Sequence, residues 1–388
     1  MPKVEMKRLG DYIREVDVRN KDLKVTRLVG LTIDKAFIPS VANVIGTDLS
    51  NYKVIKKEQF ACSLMQVSRD GRMPVAMFED DMPAIMSPAY PVFEVVDTTK
   101  LLPQYLMMWF SHKEFDIEAC FYAVGGVRGS ITWEDFCDML LPVPPIDLQR
   151  EIVSEYEMLT NRIRLNNRMI STLESTAQAL YRKMFVEGID KDHLPTGWRM
   201  GTIGEYATVK SGFAFNSTWW QKLGIPVIKI GNISNLTIDD TECDYVDEQK
   251  MAIAENYIAK EGDIVIAMTG TTLGKIAIIS NGCFLVNQRV GLFDLGDSPI
   301  NTAAFLYVLL QQDFVQNDIF TVGGDSAQAN VSNNDIEKIS IPFPPQMLID
   351  KFNQYGKVVL NHINAKHQEN NKLTELQSML LAKMEKIK

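Results

Sequence analysis

Apolar side chains recur every three or four residues along two long segments of the chain. One segment follows PVPP at 142–145 and the other follows PFPP at 342–345. This spacing forms an a/d seam, which is typical of helices that pair in a coiled coil. Proline suits the first helical turn but not the interior, so each proline pair sets a helix start. The predicted seam consists of Leu148, Ile152, Leu159, Ile163, Ile170, Leu173 and Leu180, then Leu348, Phe352, Val359, Ile363, Leu373 and Leu380.

A helix of roughly 38 residues is about 57 Å long and needs a partner for its apolar stripe. Two such helices in one chain can supply each other, which favours an antiparallel intramolecular coiled coil with a globular module at either end. Asn166 and Asn167 interrupt the first seam. Polar seam residues fix the register of a coiled coil at some cost in stability. A solvent-facing position for both residues is the alternative.

The segments before the two helices repeat each other at an offset of 200 residues. The matched pairs are Ile131 and Val331, Thr132 and Ser332, Asp135 and Asp335, and the prolines 142, 144 and 145 with 342, 344 and 345. A period this long indicates duplication of a whole module rather than a solenoid. It predicts globular domains at 1–140 and 191–340, each followed by a helical region, at 141–190 and 341–388. Segment 186–200 combines glycine, proline and charge and is predicted to be a linker.

Both modules have the pattern of mixed α/β (α+β) domains. In the second, VIKIGNI (227–233), GDIVIAM (262–268) and KIAIIS (275–280) are predicted strands, and 302–315 is a predicted helix. In the first, QFACSLMQV and YPVFEVV are strand-like, and LLPQYLMMWFSHKEF is helical.

Composition narrows the class of protein. The chain has 388 residues, of which 46% are apolar and 23% charged, as in a globular protein. We find no apolar stretch of about 18 residues to span a membrane and no secretory signal at the N-terminus. Five scattered cysteines without a C-x-x-C pair favour reduced thiols in a cytosol and argue against a zinc site. The net charge of −9 argues at first against nucleic acid as a partner.

Catalytic and metal-binding signals are incomplete. GTTLGK (270–275) lacks one residue and the final Ser or Thr of a phosphate loop, so a hairpin between two strands is preferred. His362 and His367 are five apart, which misses the i, i+4 spacing of a helical metal pair. The acidic run 79–81 is a possible Mg²⁺ site, with a solvated loop as the favoured alternative. We therefore predict no catalytic residue, no metal site and a chain that is not an enzyme.

The order of these features resembles the specificity subunit of type I restriction–modification systems. The segments that carry the resemblance are the L-P-x-P-P strand ends (141–145, 341–345), LPTGWRMGTIGEYATVKSGFAF (194–215), GDIVIAMTGTTLGKIAII and NQRVGLF (287–293). The resemblance covers essentially the whole chain. The first domain departs from it most, having only LVGLTIDKAFI (28–38) in place of a KSGFAF-like segment.

The resemblance implies a non-catalytic DNA-binding chain with two target-recognition domains. Each domain would bind one half of a bipartite double-stranded DNA target, and the coiled coil would set the spacer between the halves. Partners would be two methyltransferase subunits that use S-adenosylmethionine and, in restriction complexes, ATP- and Mg²⁺-dependent subunits. This chain itself would bind no cofactor. The net charges of −3 (1–140) and −8 (191–340) then predict that partners supply the contacts to phosphates.

Base edges are read by Arg, Lys, Asn, Gln and hydroxyl groups, so we select such residues in predicted loops as DNA-binding candidates. In the first domain they are Lys53, Lys56, Lys57, Arg69, Arg72, Arg128 and Ser130. In the second they are Lys210, Phe213, Thr269, Thr271, Lys275, Gln288, Arg289, Ser326, Gln328 and Asn330. Two other hypotheses stay open: the DNA-recognition part of a single-chain restriction–methylation enzyme, and a coiled-coil assembly protein without a DNA role.

Overall fold

The structure, a computed structural model, describes residues 5–40, 46–65, 67–123, 129–234, 236–240, 243–252, 254–324 and 329–386. The chain divides into two units. Unit 1 comprises Met1–Arg162 with Leu373–Lys388, and unit 2 comprises Ile163–Lys372. Each unit therefore contains a globular part and one section of each long helix.

Unit 1 contains short strands followed by helices. Its strands are β1 (Met6–Arg8), β2 (Ile13–Glu15), β3 (Val29–Leu31), β4 (Phe37–Pro39), β5 (Lys53–Ile55), β6 (Phe60–Cys62), β7 (Val75–Met77), β8 (Ala84–Met86), β9 (Val92–Val95) and β10 (Leu140–Pro142). Its helices are α1 (Val67–Asp70), α2 (Pro103–Phe110), α3 (Lys113–Tyr122), α4 (Trp133–Asp138) and the first part of α5 (Ile146–Phe185).

Unit 2 repeats this succession. Its strands are β11 (Arg199–Thr202), β12 (Val209–Ser211), β13 (Ile225–Ile228), β14 (Ile233–Ser234), β15 (Thr237–Ile238), β16 (Asp244–Val246), β17 (Ile258–Lys260), β18 (Ile264–Ala267), β19 (Ile276–Ile278), β20 (Cys283–Val286), β21 (Val290–Phe293) and β22 (Ser340–Phe343). Its helices are α6 (Ile203–Tyr206), α7 (Ala303–Leu309), α8 (Asp313–Gly323), α9 (Asn333–Glu337) and the first part of α10 (Gln346–Lys386).

The sheets of the two units have the same strand order. Unit 1 has an antiparallel sheet β2-β9-β6-β7, and unit 2 has the antiparallel sheet β12-β21-β18-β19. The second sheet of unit 2 is β16-β13-β20-β17, with β13 parallel to β20. Unit 1 has two antiparallel strand pairs, β3-β4 and β5-β8, in place of this second sheet. A parallel bridge between Leu28 and Ile85 links the two pairs.

Each globular part is closed by pairing its first strand with the strand that precedes a long helix. β1 pairs antiparallel with β10, and β11 pairs antiparallel with β22. Just before β10, Thr132 and Asp135 form a capping box on α4, and Ser332 and Asp335 form the corresponding box on α9. The residues matched in the sequence repeat are thus the ones that begin the same short helix in each unit.

The two long helices begin directly after the proline pairs, as predicted. Within each unit, the section of α5 packs antiparallel to the section of α10. In unit 2, Asn166 bonds Asn370, and Tyr181 contacts Phe352 with ring centroids 5.7 Å apart. In unit 1 the Gln377 amide donates to the Thr160 hydroxyl at 2.7 Å. No helix within the described ranges carries an apolar stretch of the length that a bilayer requires.

None of the predicted seam residues is exposed, but some of the most buried residues of the two helices lie outside the predicted seam. Phe352 and Ile363 are fully buried, whereas most of the others are half-buried. Residues beside the predicted seam, such as Val153, Tyr181 and Leu360, are buried as well. The helices bury this wider stripe because each section packs against its globular part as well as against the other helix.

Two predicted elements are shorter than the sequence pattern suggested. The strand predicted at 227–233 ends at Ile228, because the Asn232 side chain accepts from the Lys229 N–H and closes a turn. The helix predicted at 302–315 is broken between α7 and α8, where the Gln311 and Gln312 amides donate to carbonyls at the end of α7. GTTLGK forms the predicted hairpin connection between the antiparallel strands β18 and β19.

Candidate nucleic-acid interface

In unit 2, three segments that are distant in sequence meet at one end of the sheet that contains β18. The Gly270 N–H and the Thr269 hydroxyl both donate to the Ala329 carbonyl, at 3.0 and 3.1 Å. The Met268 N–H donates to the Arg289 carbonyl at 3.0 Å. We call the resulting surface the unit 2 loop cluster; it consists of residues 268–272, 287–290 and 329–331.

The cluster presents polar side chains on its surface. The Arg289 guanidinium donates to the Asn330 side-chain oxygen at 3.4 Å, and both residues are exposed. Thr271 and Gln288 are exposed beside them, and Thr269 is half-buried. Lys275 is exposed where the loop enters β19. The structure therefore brings these sequence-predicted residues together, with donors and acceptors suited to base edges.

Phe213 adjoins the cluster through its backbone. Its N–H donates to the Val286 carbonyl at 2.7 Å, and its own carbonyl accepts from the Gln288 N–H at 3.0 Å. The half-buried ring packs in an aromatic group, with centroids 5.0 Å from Phe215 and 5.5 Å from Tyr257. The Phe213 backbone therefore links the aromatic group to the segment that carries Gln288.

Two tryptophans of the same group were not selected from the sequence. Lys250 lies over the Trp219 ring at 4.6 Å, and Lys229 lies over the Trp220 ring at 3.9 Å. Stacked lysine–indole pairs offer both charge and a flat apolar face to a ligand. The density of aromatic residues in GFAFNSTWW (212–220) was the available signal.

Lys210 is separated from the loop cluster. Its ammonium bonds the Asp294 carboxylate at 2.7 Å, next to Lys260 and Asp263. This bond from Lys210 is the main reason that the pKa of Asp294 lies below its usual value. Ser211, the next residue, instead bonds Asn333 near the cluster at 2.7 Å. Asn333 is a further polar residue that the sequence did not indicate.

Unit 1 forms a comparable cluster from the loop after β6 and the segment before α4. The Ile131 N–H donates to the Leu64 carbonyl at 3.0 Å, as Val331 does to Met268 in unit 2. Gly129 has φ of +69°, and a Cβ there would lie 2.0 Å from the Ser68 hydroxyl. We call residues 63–65 and 67–74 with 129–131 the unit 1 loop cluster.

The unit 1 cluster contains three of the predicted DNA-binding residues. Arg69 and Arg72 are exposed and pair with Asp70 and Asp34, at 2.7 and 3.4 Å. Ser130 is half-buried at the other side of the cluster. Arg128, Ser326 and Gln328, which were also selected, lie outside the described residues.

The predicted lysines of unit 1 lie on β5 and in the turn between β5 and β6. Lys53 is only 4% exposed, with its ammonium 3.3 Å from Glu15, so it is not presented on the surface. Lys56 and Lys57 are exposed in the turn before β6, and Lys57 pairs with Asp81 at 2.6 Å. The structure thus divides the candidates of unit 1 into two groups rather than one patch.

The described residues offer little for metal chemistry. They contain no group of three or more His, Cys, Asp or Glu side chains arranged to hold a metal ion. In the acidic run 79–81, Asp80 pairs with Arg27 and Asp81 with Lys57, so these carboxylates have cations as partners.

Comparison with known proteins finds similarity to the specificity subunits of type I restriction enzymes. Residues 195–378 match the family model described as the type I restriction modification DNA specificity domain. The specificity subunit of type I restriction enzyme MjaVIII from Methanocaldococcus jannaschii is 23% identical over 54% of this chain and 52% of its own length. That of EcoAI from Escherichia coli is 29% identical over 41% of this chain and 27% of its own length.

These matches span about half of the archaeal relative and about a quarter of the bacterial one. Among solved structures, the type I restriction–modification S subunit from M. genitalium has the same fold over nearly the whole chain. It is 16% identical with a TM-score of 0.55 and covers 99% of this chain and 97% of that one. The chain therefore resembles the specificity subunits of type I restriction–modification systems, in the domain at 195–378 and in its fold.

Proposed function

We propose that this chain is the DNA sequence-specificity subunit of a type I restriction–modification complex. One target-recognition domain (1–140) would read one half of a bipartite target, and the other (191–340) would read the other half. The observation that carries the proposal is the recurrence of one sheet order and one loop cluster in both units of a chain with the family's specificity domain.

Duplication of a single module is supported by contacts that agree in detail. The N–H of Leu9 donates to the Met139 carbonyl at 2.8 Å, and that of Ile203 donates to the Ile339 carbonyl at 3.1 Å. These bonds tie the start of each module to the strand before its long helix. Equivalent modules would allow two identical methyltransferase subunits to dock at equivalent surfaces.

The helical regions (141–190 and 341–388) would form an antiparallel coiled coil that sets the spacer. Helix α5 has 40 residues, which corresponds to about 60 Å at 1.5 Å per residue. One turn of B-DNA is about 34 Å, so a rigid helix pair of this length would span more than one turn. A flexible linker would not fix the number of unread base pairs.

Chemistry would belong to the partners. S-adenosylmethionine would be bound by methyltransferase subunits, and ATP and Mg²⁺ by a restriction subunit where one is present. Neither recognition domain is basic, so this chain would read bases while its partners neutralise phosphates. A cytoplasmic location in a prokaryote fits this role.

Co-expression with the methyltransferase subunit of the same system tests the proposal. Single-molecule sequencing of the host DNA would then locate the modified bases. We expect one bipartite motif with a fixed gap. A continuous motif would favour a different architecture, and methylation that is independent of this chain would refute the specificity role.

A further inference from the structure

A buried side-chain pair ties the recognition loop of unit 1 to the helices behind it. The Asp116 carboxylate on α3 accepts from the Met73 N–H at 3.0 Å and from the Lys35 ammonium at 2.8 Å. Lys35 also donates to the Phe110 carbonyl at the end of α2. The Lys35 and Asp116 side chains are only 10% and 14% exposed. Met73 lies at the end of the loop that carries Arg69 and Arg72.

One side chain occupies the corresponding place in unit 2. Gln316 lies on α8 exactly one repeat, 200 residues, after Asp116. Its amide donates to the Gly274 carbonyl at 3.1 Å and to the Leu310 carbonyl at 2.6 Å. Gly274 precedes β19 by the same number of residues as Met73 precedes β7, and Leu310 follows Phe110 by one repeat. Different chemistry therefore joins the same three points of the fold.

The location of these bonds suggests a role in recognition. Each joins a second helix (α3 or α8), the end of the helix before it, and the last residues of the loop that enters β7 or β19. A loop that reads bases must be held in one geometry, because rigid support reduces the conformational entropy lost on binding. The Lys35 and Asp116 side chains are mostly shielded from solvent, and the half-buried Gln316 amide is directed at two backbone carbonyls, so these groups are engaged within the protein rather than presented to DNA.

We propose, building on the function above, that Lys35–Asp116 and Gln316 are positioning residues that set the sequence specificity of unit 1 and unit 2 respectively. Neither contacts the target. Each acts through its loop, residues 67–74 in unit 1 and residues 268–275 in unit 2. Losing one anchor therefore relaxes discrimination in one half-site and leaves the other unchanged.

The test uses the complete complex with its methyltransferase subunits and maps methylated sites by single-molecule sequencing. Gln316→Met removes both donated bonds and keeps a side chain of similar length. We expect about tenfold weaker discrimination in the half-site read by unit 2, the size of effect that a single mismatched base has. Lys35→Met with Asp116→Ala is expected to relax the other half-site alone.

Gln311→Met is the matched control. Gln311 donates to the Tyr307 carbonyl in α7 at 2.8 Å and accepts from the Gln178 amide on α5 at 3.0 Å. Both partners lie on helices and not on the loop 268–275, so the loss of Gln311 should leave both half-sites intact. Lys35→Arg keeps a charged donor and should retain the wild-type motif. A purely structural role predicts lower methylation of an unchanged motif in the Gln316→Met complex, and that result would overturn the proposal.

Two further outcomes are separable. If the wild-type complex yields no bipartite motif, both the proposed function and the positioning role of these residues are refuted. If the wild-type motif is bipartite and Gln316→Met leaves every position of it as strict as before, only the anchor proposal fails. Should the Lys35–Asp116 double variant lose methylation entirely, the single variant in unit 2 decides the question.

Discussion

The buried side-chain amide of Asn166 donates a hydrogen bond of 2.9 Å to the side-chain oxygen of Asn370 on the other long helix. Asn370 in turn donates to Asn167 at 2.7 Å. The sequence left two interpretations for the asparagine pair, a seam position or a solvent-facing one. Each interpretation holds for one of the two residues, because Asn166 lies inside the helix pair and Asn167 is exposed.

Replacing one asparagine of the Asn166–Asn370 pair should destabilise the protein more than replacing both. Asn370→Leu leaves the buried Asn166 amide without its partner, which should lower the free energy of unfolding by about 1–3 kcal/mol. Asn166→Leu combined with Asn370→Leu should recover most of that loss, since two apolar side chains replace two polar ones. Urea unfolding measures both, and exposed Asn167→Ala, which removes only the Asn370–Asn167 bond, should cost less than Asn370→Leu. A double variant as unstable as Asn370→Leu would contradict this account.

The length of the helix pair should set the gap between half-sites. Removing residues 160–166 from α5 and 371–377 from α10 takes one heptad from each helix, so the helix faces stay nearly in phase. Seven residues correspond to about 10.5 Å, or roughly three base pairs. Methylome sequencing should therefore find the gap shortened by that amount with both half-sites unchanged. An unaltered gap in an active complex would exclude the helices as the spacer.

The capping boxes predict acid sensitivity in a defined direction. Bonds from the Ser332 hydroxyl and N–H are the main reasons that the pKa of Asp335 is lowered on folding. A lowered carboxyl pKa stabilises the fold above the unfolded-state pKa, and this contribution disappears as the pH falls through the folded-state pKa. NMR titration should find the Asp335 pKa raised toward its ordinary value by Ser332→Ala. Lys338→Ala should change it much less, and an equal effect would refute the capping explanation.

Variants of Arg289, which lies in the unit 2 loop cluster, and of Lys210, which lies outside it, test whether the cluster binds DNA. Arg289→Ala removes an exposed cation beside Asn330, and we expect about 10- to 100-fold weaker binding of the complex to its specific target. Lys210→Ala removes a cation already paired with Asp294 and should have little effect. Binding of both variants is measured at one fixed salt concentration. Equal losses would mean that the cluster has no special role.

The local sequence pattern predicted where the two long helices begin, but it did not predict all of the residues that they bury. The heptads and the prolines at 144–145 and 344–345 fix where α5 and α10 begin, because both signals act within a few residues. The stripe that is buried extends to Val153 and Leu360, since the helices also pack against globular parts whose contacts are distant in sequence.

The loop clusters depend even more on long-range contacts. Nothing near Thr269 indicates that it bonds Ala329, 60 residues later. Lys53 has the composition of a DNA-binding lysine, yet the all-buried strand β5 places it beside Glu15. The Gln316 anchor carries no local signal either, and only the repeat offset relates it to Asp116.

An exchange of one domain tests most directly the central claim, that each module reads one half-site. The exchanged segment is 199–343, which keeps the paired strands β11 and β22 together, and the replacement comes from a relative with a different target. Methylome sequencing of cells that carry the exchanged chain and its methyltransferase should find one half-site replaced, with the other half-site and the gap retained. A change in both half-sites, or in neither, would contradict the account.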